Sequence, residues 1–564
     1  MKHASDLKRN LFSIDGKSYS MYKELRGSYR FDGYILSLDR IQGDPFAPPS
    51  ALSLQIPFEA TGIPAEYLET KNRRITLQDY LTRRLAKEME DYSFKARGSG
   101  KSGLIAISRC GQTVLERTAC RITEKAVFVR FHVGFPANGR RINGRELEKI
   151  LFQSLPMCAE EALFYRNMNP KHLERAIFLS DDQQFIREEL KKRGLAAFVA
   201  EGAVLPRKSG VSDLPMKGAV PFQSPDSLKV TMELPHQGRI CGMGIPCGIS
   251  LIAGGGYHGK STLLNALESA VYNHIPGDGR EYVICDDTAV KLRSEDGRFI
   301  KDADISMFIN DLPNGKDTRC FSTLDASGST SQAAGISESI ETGSSLFLID
   351  EDTSATNFMV RDAFMQRVIS RSKEPITPFV ERARQLYEQA GISTILVAGS
   401  SGAFFHIADT VIQMDSYRPF DITEKVKELC PEYPDAAGMP PVFQLPQSRR
   451  IMSVPKELQR ERQRRPLKVK VHGIDSFSIG KETVDLRYVE QLEDGEQTAS
   501  LGRLLEYALE YLTDGKRTIP QIVSLLEEKL EAEGLESLFS GNAVCGFARP
   551  RKQEIAACFN RFRR

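Results

Sequence analysis

The residues best suited to chemistry in this sequence form a glycine-rich run that ends in a lysine and a serine. The run fits the pattern GxxxxGKS and consists of Gly254, Gly255, Gly256, Tyr257, His258, Gly259, Lys260 and Ser261,. It follows an apolar strand-like segment and opens a helical pattern at Thr262. Glycines allow backbone N–H groups to surround phosphate oxygens, and a helix N-terminus adds partial positive charge. We therefore expect residues 254–262 to bind ATP as a phosphate loop (P-loop), and the alternative is a simple strand-to-helix turn.

Two residues of this run have specific expected roles. Lys260 should reach the β- and γ-phosphates, and the Ser261 hydroxyl should bind Mg²⁺.

A second apolar run, Leu346–Ile349, ends in Asp350 and Glu351. We expect Asp350 to bind Mg²⁺ and Glu351 to activate the attacking water, so that Lys260 and Glu351 are the candidate catalytic residues. The alternative is that the two carboxylates merely end a strand.

A run of small residues, Ala326–Gln332, lies between these two motifs and precedes a helical stretch through Ile340. It is similar to the signature LSGGQ of ABC-class ATPases. In that class, such residues bind the γ-phosphate of an ATP held by the other protomer, so two ATPs lie head to tail in a dimer. The residues expected to contact nucleotide are Ser327, Gly328, Ser329 and Thr330. Considered without its neighbours, the run would be a flexible loop.

Several longer motifs support a family resemblance. They are GGGYHGKSTLL, NHIPGDGRE, EDGR, ASGSTSQAA, LIDEDTSATNFMVRD, EPITPF and STILVAGSSG, together with GDPFAPPS at 43–50 and LPRKSG at 205–210. With them the chain resembles the family of predicted ABC-class ATPases found across prokaryotes and some protists, over nearly its whole length. The resemblance implies a nucleotide-dependent homodimer, and an RNA-processing role has been proposed for a protist relative.

The sequence departs from ordinary ABC ATPases in two places. The segment 396–402, LVAGSSG, has only small residues where a switch histidine is expected, and we expect His406 further on to be a packing or surface residue. No glutamine occurs between Ser261 and Ser331, so the usual Q-loop glutamine is absent. Its candidate replacements are Glu295, Asp304 and Ser306. Hydrolysis is therefore expected to be slow or stimulated by a partner.

The elements that must position these residues are predicted from hydrophobic periodicity. Short apolar runs alternate with helical patterns after about residue 225, which predicts an α/β ATPase core at 226–430. The runs are 249–253, 282–285, 346–349, 392–398 and 411–414, and the helices are 262–272 and 379–390 with Gly391 as C-cap,.

The remaining sequence predicts two flanking regions. Residues 1–225 predict an N-terminal α+β domain, with a helix at 77–89, strands at 104–108 and 126–133, and a Pro/Ser/Gly-rich linker at 206–225. Residues 431–564 predict a basic connector at 449–470 and an α-rich C-terminal region that includes the apolar positions 501–512.

Composition points to a globular protein without naming its partner. The net charge is +2 and 41% of the 564 residues are apolar. No apolar run approaches the length of a membrane helix, and the N-terminus lacks a signal-peptide core. The ten cysteines contain no CxxC pair, so we expect reduced thiols and a cytoplasmic location,.

Local basic clusters suggest nucleic acid as a partner. The clusters are 95–103 (KARGSGKSG), 138–145 (NGRRINGR), 449–470 and the C-terminal arginines. The first follows a helix and precedes a strand, the reverse of a P-loop, so we interpret it as a flexible cationic loop. Each cluster taken alone is more typical of a solvated face. The motif YNHIPGDGR at 272–280 either contacts nucleotide or the facing protomer, or forms a solvated turn.

Three functions are compatible with these features. The favoured one is an ATP-switched dimer that acts on nucleic acid, with RNA slightly preferred over DNA. The second is an ATP-gated scaffold or protein-partner ATPase with little hydrolysis. The third, an ABC transporter subunit, is disfavoured by the extra terminal regions and the missing switch histidine, and a small-molecule kinase would leave the signature-like run without a role.

Overall fold

The computed structural model describes residues 1–361, 368, 373–432, 442–447, 450–464, 467–539, 541 and 544–563. They form two compact units. The first unit contains Met1–Asp181 and Glu533–Arg549, and the second contains Asp182–Ala532 and Pro550–Arg564. The domain boundaries predicted near 225 and 430 stay predictions. Asp362 of the long motif, Arg449 and Arg465 of the basic connector, and Arg564 lie outside the described residues.

The first unit is built on a seven-stranded sheet in which β7 pairs with β8 beside the order β1-β2-β3-β4-β8-β5. Its strands are β1 (Lys2–His3), β2 (Gly27–Arg30), β3 (Ile35–Arg40), β4 (Ser50–Pro57), β5 (Ile105–Ala106), β6 (Thr113–Val114), β7 (Cys120–Ile122), β8 (Ala126–Val133), β9 (Ala137–Asn138) and β10 (Arg141–Ile142). Its helices are α1 (Ala4–Ser13), α2 (Phe58–Thr61), α3 (Lys71–Glu90), α4 (Gly144–Lys149), α5 (Leu155–Leu163) and α6 (Pro170–Arg193), the last of which continues into the second unit.

The apolar face of α3 and alternate residues of the sheet form the core of this unit. Leu77, Leu81, Leu85 and Met89 recur at helical spacing and are buried, as predicted,. The predicted α+β class is confirmed, and β8 has the predicted bounds. The strand predicted at 104–108 is shorter because the Leu104 N–H donates to the Lys101 carbonyl in a turn.

Residues 533–549 belong to the first unit although they are distant in sequence. The Glu536 carboxylate pairs with the Arg130 guanidinium at 3.2 Å, and the Thr118 hydroxyl donates to the Val544 carbonyl at 2.7 Å. The C-terminal segment therefore completes the N-terminal unit.

The second unit has several sheets and the helices that cover them. Its strands are β11 (Leu195–Ala200), β12 (Arg207–Ser209), β13 (Ser212–Pro215), β14 (Lys229–Leu234), β15 (Gly238–Pro246), β16 (Ile249–Ala253), β17 (Asn273–His274), β18 (Val283–Cys285), β19 (Val290–Leu292), β20 (Arg298–Ala303), β21 (Phe321–Ala326), β22 (Leu346–Asp350), β23 (Ser393–Val397), β24 (Thr410–Asp415), β25 (Arg418–Asp421), β26 (Val469–Val471), β27 (Ser476–Ile479) and β28 (Glu482–Asp485). Its helices are α7 (Lys260–Ser269), α8 (Gly328–Glu341), α9 (Thr356–Met359), α10 (Phe379–Ala390), α11 (Thr423–Leu429), α12 (Lys456–Arg464), α13 (Gly495–Tyr507), α14 (Ile519–Glu533) and α15 (Lys552–Arg561).

A six-stranded sheet in the order β19-β22-β23-β16-β24-β25 positions the candidate site. The first five strands are parallel to their neighbours, and β25 is antiparallel to β24. Strands β16, β22 and β23 are buried along their whole length, which explains their largely apolar sequences,. Because parallel strands end at the same edge, the segments that follow β16, β22 and β23 meet there.

The predicted linker at 206–225 contains a short hairpin and is therefore more than a linker. β12 and β13 pair in antiparallel register, and the Arg207 guanidinium pairs with the buried Asp278 carboxylate at 2.7 Å. Beside it, β14, β15, β11 and β18 form a four-stranded antiparallel sheet. Proline and glycine content predicted a break in periodicity here but not this long-range ion pair.

The C-terminal part of the second unit combines helices with a small antiparallel sheet of β26, β27 and β28. The predicted helical positions 501–512 are confirmed, with α13 continuing as a π-helix from Ala508 to Leu512. Within the described part of the chain, no helix is both long and apolar enough to cross a membrane.

Candidate active site

The glycine-rich run 254–259 lies between β16 and α7, as predicted. Gly254 has φ 142°, and a Cβ there would collide with the Met414 carbonyl oxygen. Gly259 has φ 97° and caps α7 in the left-handed region that favours glycine,. These two positions require glycine because of backbone conformation.

Helix α7 is displaced relative to its predicted bounds of 262–272. It begins at Lys260 because Gly259 makes the turn, and it ends at Ser269 because the chain turns back toward β18. There the Ala270 carbonyl accepts a hydrogen bond from the Cys285 N–H at 3.1 Å. Lys260 and Ser261 therefore occupy the first turn of the helix, where they are closest to any bound anion.

The Lys260 ammonium folds back on its own loop. Its Nζ donates to the Gly254 carbonyl at 2.6 Å and to the Gly255 carbonyl at 2.8 Å. Tyr257 is fully exposed, and the Ser261 side chain is also exposed. The loop thus has a cation and a hydroxyl within reach of a phosphate group.

The turn after β24 forms hydrogen bonds with His258 of the P-loop. His258 Nδ1 accepts from the Ser416 N–H at 2.9 Å, and the His258 carbonyl accepts from the Tyr417 N–H at 3.2 Å. Asp415 lies 3.0 Å from the same imidazole. His258 therefore holds the loop in place, a supporting role beyond the predicted nucleotide contact.

An apolar cavity of about 380 Å³ opens beside the P-loop. Its lining combines Gly259 and Thr262 with apolar residues Pro206, Met216, Val220, Phe222, Met414 and Tyr417. The sequence predicts a linker at 206–225 and therefore does not predict this cavity, although Met216, Val220 and Phe222 are unusually apolar for a linker.

Asp350 ends β22 and is 7% exposed. Its carboxylate accepts from the Asp352 N–H at 3.2 Å, and burial raises the pKa of the carboxyl group,. A hydroxyl at Ser261 and a carboxylate at Asp350 are hard oxygen ligands of the kind Mg²⁺ prefers. The residues present fit the predicted metal.

Glu351 follows directly and is held by the segment after β23. Its Oε2 accepts from the Gly399 N–H at 2.8 Å and the Ser400 N–H at 3.1 Å, and Oε1 accepts from the Ser400 hydroxyl at 2.6 Å. Burial opposes ionisation, yet these donors outweigh it and lower the pKa of Glu351,. In the sequence, this segment shows only that the expected histidine is missing. The contacts with Glu351 are not evident there, because Gly399 lies 48 residues further along the chain.

The signature-like run forms the N-terminus of α8, as predicted. The Ser327 hydroxyl accepts from the Thr330 N–H, and the Ser329 hydroxyl donates to the Asn357 side-chain oxygen at 2.7 Å. Residues 327–330 line a groove of about 630 Å³ together with Ser354 and Asn357. The run is an ordered helix start, so the flexible-loop alternative is wrong.

Gln332 joins this helix to the segment after Glu351. Its amide nitrogen donates to the Ser354 hydroxyl at 3.0 Å, and its amide oxygen accepts from the Ala355 N–H at 3.0 Å. Hydrogen bonds from Gln332 thus connect the helix of the signature-like run to the segment that directly follows Glu351.

The three candidate replacements for the Q-loop glutamine form ion pairs or hydrogen bonds with other side chains of the protein. Glu295 pairs with Arg561 and with Arg298, and the Asp304 carboxylate accepts from the Ser306 hydroxyl at 2.6 Å. These contacts give them structural roles and provide no support for a nucleotide role.

Three charged or titratable side chains of the motif 272–280 are buried, which neither of its two interpretations anticipated. His274, Asp278 and Arg280 are 3%, 0% and 6% exposed. His274 Nδ1 lies 2.9 Å from the Asp278 carboxylate, and the Arg280 Nε donates to the Leu205 carbonyl at 2.9 Å. Burial, with the nearby Arg207, lowers the pKa of Arg280 to about 10. The motif is a structural anchor for the 205–215 hairpin region.

A separate cluster of basic residues lies in the first unit. The Ser99 N–H donates to the Ala137 carbonyl at 2.8 Å, and the Gly139 N–H donates to the Ser99 hydroxyl at 2.9 Å. The Lys101 N–H donates to the Pro45 carbonyl at 2.9 Å. Loops 43–50, 95–103 and 138–145 are therefore adjacent, and backbone hydrogen bonds hold the loop predicted to be flexible.

Three parts of this chain match models of known protein families. The P-loop domain of the ABC ATPase family matches residues 169–447, and the N-terminal domain of ATPases of the ABC class matches residues 4–166. This chain belongs to the ABC-class P-loop ATPases. The C-terminal residues 468–564 of this ABC-class ATPase match the MRB1590 C-terminal domain.

One individual protein is similar to part of this ABC-class ATPase. The uncharacterized protein MJ1628 of Methanocaldococcus jannaschii is 30% identical over 275 residues, which are 46% of this chain and 59% of that protein. The chain thus spans well under two thirds of that relative.

Two solved structures also align with part of the chain. CbiO1 from Clostridium perfringens, part of the ABC transporter complex cbiONQ, is 12% identical with a TM-score of 0.26, covering 42% of this chain and 91% of that one. The ADP conformation of MJ1267, an ATP-binding cassette of an ABC transporter, is 11% identical with a TM-score of 0.25, covering 42% and 95%.

Proposed function

We propose that this ABC-class ATPase binds and hydrolyses ATP as a nucleotide-switched homodimer that acts on nucleic acid, with RNA slightly favoured. The observation that carries the catalytic part is the convergence of three segments at one sheet edge. The P-loop follows β16, Asp350 and Glu351 follow β22, and Gly399 and Ser400 follow β23. A phosphate-binding loop beside an ionised carboxylate is the arrangement that phosphoryl transfer to water needs.

The chain's own residues supply most of this chemistry. Backbone N–H groups of 255–261 and the α7 N-terminus bind the phosphates, and Lys260 exchanges its loop carbonyls for phosphate oxygens. Ser261 and Asp350 would hold Mg²⁺, which supplies charge neutralisation at the transferred phosphate. Glu351 orients and polarises the attacking water, and the cavity beside Thr262 takes the base.

The groove at the α8 N-terminus supports the dimer. Ser327, Ser329 and Thr330 present hydroxyl groups at a helix N-terminus, which attracts anions. The γ-phosphate of an ATP held by a second copy of the chain is the proposed occupant, as the class implies. Because Gln332 joins this helix to 354–355, dimer closure and the state of Glu351 are coupled.

The adjacent loops of the first unit support the nucleic-acid part. Arg97, Arg140, Arg141 and Arg145 are exposed there. Phe46 and Phe94 lie on the same loops and are 67% and 61% exposed. Cations contact phosphates and exposed aromatic rings stack on bases, which is the combination that binds single strands.

The proposed function is tested by phosphate release from Mg-ATP with and without single-stranded RNA or DNA, beside a Lys260→Ala control. We expect turnover that RNA increases and that the control lacks. Turnover that depends on Lys260 but ignores both nucleic acids would contradict the nucleic-acid part and favour a protein partner. No turnover at saturating ATP would contradict hydrolysis.

The proposed surface is tested by RNA binding at several salt concentrations. The double variant Phe46→Ala/Phe94→Ala should bind about 10-fold more weakly or worse, since stacking contributes ~1–3 kcal/mol per base. Arg140→Ala/Arg141→Ala should reduce the salt dependence by roughly two phosphate contacts. Phe420→Ala, an exposed phenylalanine of β25, is the matched control. Equal binding by all variants would place the RNA elsewhere.

One observation favours a second candidate, the ATP-gated scaffold. The Lys260 ammonium is engaged by two carbonyl groups of its own loop, which is a resting arrangement. Tight ATP binding and dimer closure without phosphate release would identify that function.

A further inference from the structure

The segment after β23 holds the carboxylate of Glu351 on both oxygens. Gly399 and Ser400 donate three hydrogen bonds, of 2.6 to 3.1 Å, to this one side chain. Glutamate side chains are long and lose rotamer freedom only where contacts fix them. Here both oxygens are fixed although the residue is partly exposed, so the carboxylate has a defined direction.

The clamp formed by Gly399 and Ser400 also lies against the P-loop lysine. A Cβ built on Gly399 would lie 3.7 Å from Lys260 Nζ and 3.9 Å from its Cε, so the backbone of this segment passes directly beside the lysine. The cation that contacts phosphate, the clamp and the candidate catalytic carboxylate are therefore consecutive neighbours at the sheet edge.

We propose that Ser400 is a positioning residue, which through its hydroxyl and N–H aims the Glu351 carboxylate at the water that attacks ATP. It thereby takes the place of the switch histidine that this sequence lacks. The inference rests on the proposed ATP hydrolysis and deepens it. The residue contributes no chemistry of its own, since serine has no titration near neutral pH, and it acts only through Glu351.

The clamp holds Glu351 through both of its carboxylate oxygens. A carboxylate has about four lone-pair sites, so it can still accept a hydrogen bond from water while the clamp fixes its direction. Removing the Ser400 hydroxyl should remove the hydrogen bond to Oε1 and leave the carboxylate less well oriented.

The test compares Ser400→Ala and Ser400→Thr with the wild-type full chain in steady-state phosphate release. We expect Ser400→Ala to lower kcat about tenfold with the KM for ATP within twofold, and Ser400→Thr, which keeps the hydroxyl, to recover most of kcat. Ser53→Ala is the matched control, because the Ser53 hydroxyl also donates to a carboxylate, Asp39, at 2.7 Å in the first unit. Its kcat should match the wild type.

Two results would overturn the proposal. An unchanged kcat in Ser400→Ala would show that the hydroxyl is dispensable, and a raised KM with unchanged kcat would assign Ser400 to nucleotide binding. A chain that releases no phosphate would defeat the proposed hydrolysis, and a second measurement then decides the clamp. In nucleotide-free protein labelled with ¹³C at glutamate carboxyl carbons, the signal lost in Glu351→Gln should shift or broaden in Ser400→Ala at a single pH and stay unchanged in Ser53→Ala. An identical signal in Ser400→Ala and the wild type would overturn the clamp.

Discussion

Two helices of the second unit, α7 and α8, satisfy their first N–H groups differently. The N-cap of α7 is Gly259, in the left-handed region and without a side-chain cap. The N-cap of α8 is Ser327, whose hydroxyl accepts from the Thr330 N–H, and the Ser329 hydroxyl donates to the Asn357 side-chain oxygen. A helix N-terminus leaves four N–H groups without intrahelical partners. In α7 they remain for a ligand, whereas in α8 the chain supplies part of the cap.

Under the proposed function, this difference fits separate roles for the two helix ends. The α7 end, which has no side-chain cap, would bind the phosphates of ATP tightly. The α8 end, which Ser327 caps, would bind more weakly the γ-phosphate of an ATP held by a second copy. The predictions that follow test this distinction from the largest expected effect to the smallest.

The largest effect is expected for Lys260→Ala. Removing a charge-assisted contact to phosphate should weaken ATP binding by about 2–3 kcal/mol, or roughly 30- to 140-fold. Isothermal titration with Mg-ATP measures it. Lys229→Ala, an exposed lysine paired with Asp226, is the control and should bind ATP normally. Equal affinity in both variants would show that the α7 end is not the phosphate site.

A smaller effect is expected for Thr330→Glu at the other helix. The introduced glutamate would form a capping box with Ser327 that preserves α8, while its carboxylate opposes a phosphate from the second copy. ATP-dependent dimerisation should weaken at least about tenfold, with ATP affinity of the monomer unchanged. Thr330→Gln has the same shape without the charge and should dimerise more strongly than Thr330→Glu. Light scattering with non-hydrolysable ATP measures the fraction of dimer. Equal dimerisation by the Thr330→Glu variant and the wild type would show that the start of α8 is not part of the dimer interface.

Gly259→Ala tests the conformational requirement of α7. A Cβ there adopts an unfavourable backbone region and lies 3.3 Å from the Tyr417 ring, which should cost roughly 1–2 kcal/mol of stability,. Gly256→Ala is the control, since nothing lies within 4 Å of its added Cβ. Denaturant unfolding compares the two, and equal midpoints would argue against the left-handed cap.

The smallest effect is expected for Ser327→Ala. Loss of the N-cap should destabilise α8 by about 1 kcal/mol. Hydrogen exchange should become faster in the first turn of α8 and stay unchanged in α7. Unchanged exchange in α8 would show that the Ser327 cap is energetically silent.

Local sequence patterns predicted the elements that carry the site. β16 matches its apolar run Ile249–Ala253, and α10 ends where Gly391 adopts φ 67°. The α/β core, the N-terminal α+β domain and the helical C-terminal region are confirmed. These succeeded because periodicity, glycine conformation and strand burial are encoded by neighbouring residues.

Features that depend on distant residues were not predictable in the same way. The packing of 533–549 into the first unit, the apolar cavity lined by 206–222 and the Ser400 contact to Glu351 all join segments separated along the chain. In the sequence, Ser400 shows only that this segment has a small residue where a switch histidine is expected. Its contact with Glu351 becomes evident only when the sheet order places β23 beside β22. The assigned roles of the site residues stay predictions until measured.

The central claim is that Glu351 at this sheet edge drives hydrolysis of an ATP bound by the P-loop, and Glu351→Gln tests it most directly. ATP binding, dimer mass and phosphate release should be measured on the variant and the wild type under identical Mg-ATP. The account predicts that the variant binds ATP, stays in an ATP-loaded dimer and releases phosphate roughly 100-fold more slowly or worse, about 2.7 kcal/mol in activation free energy. Phosphate release at the wild-type rate would contradict it.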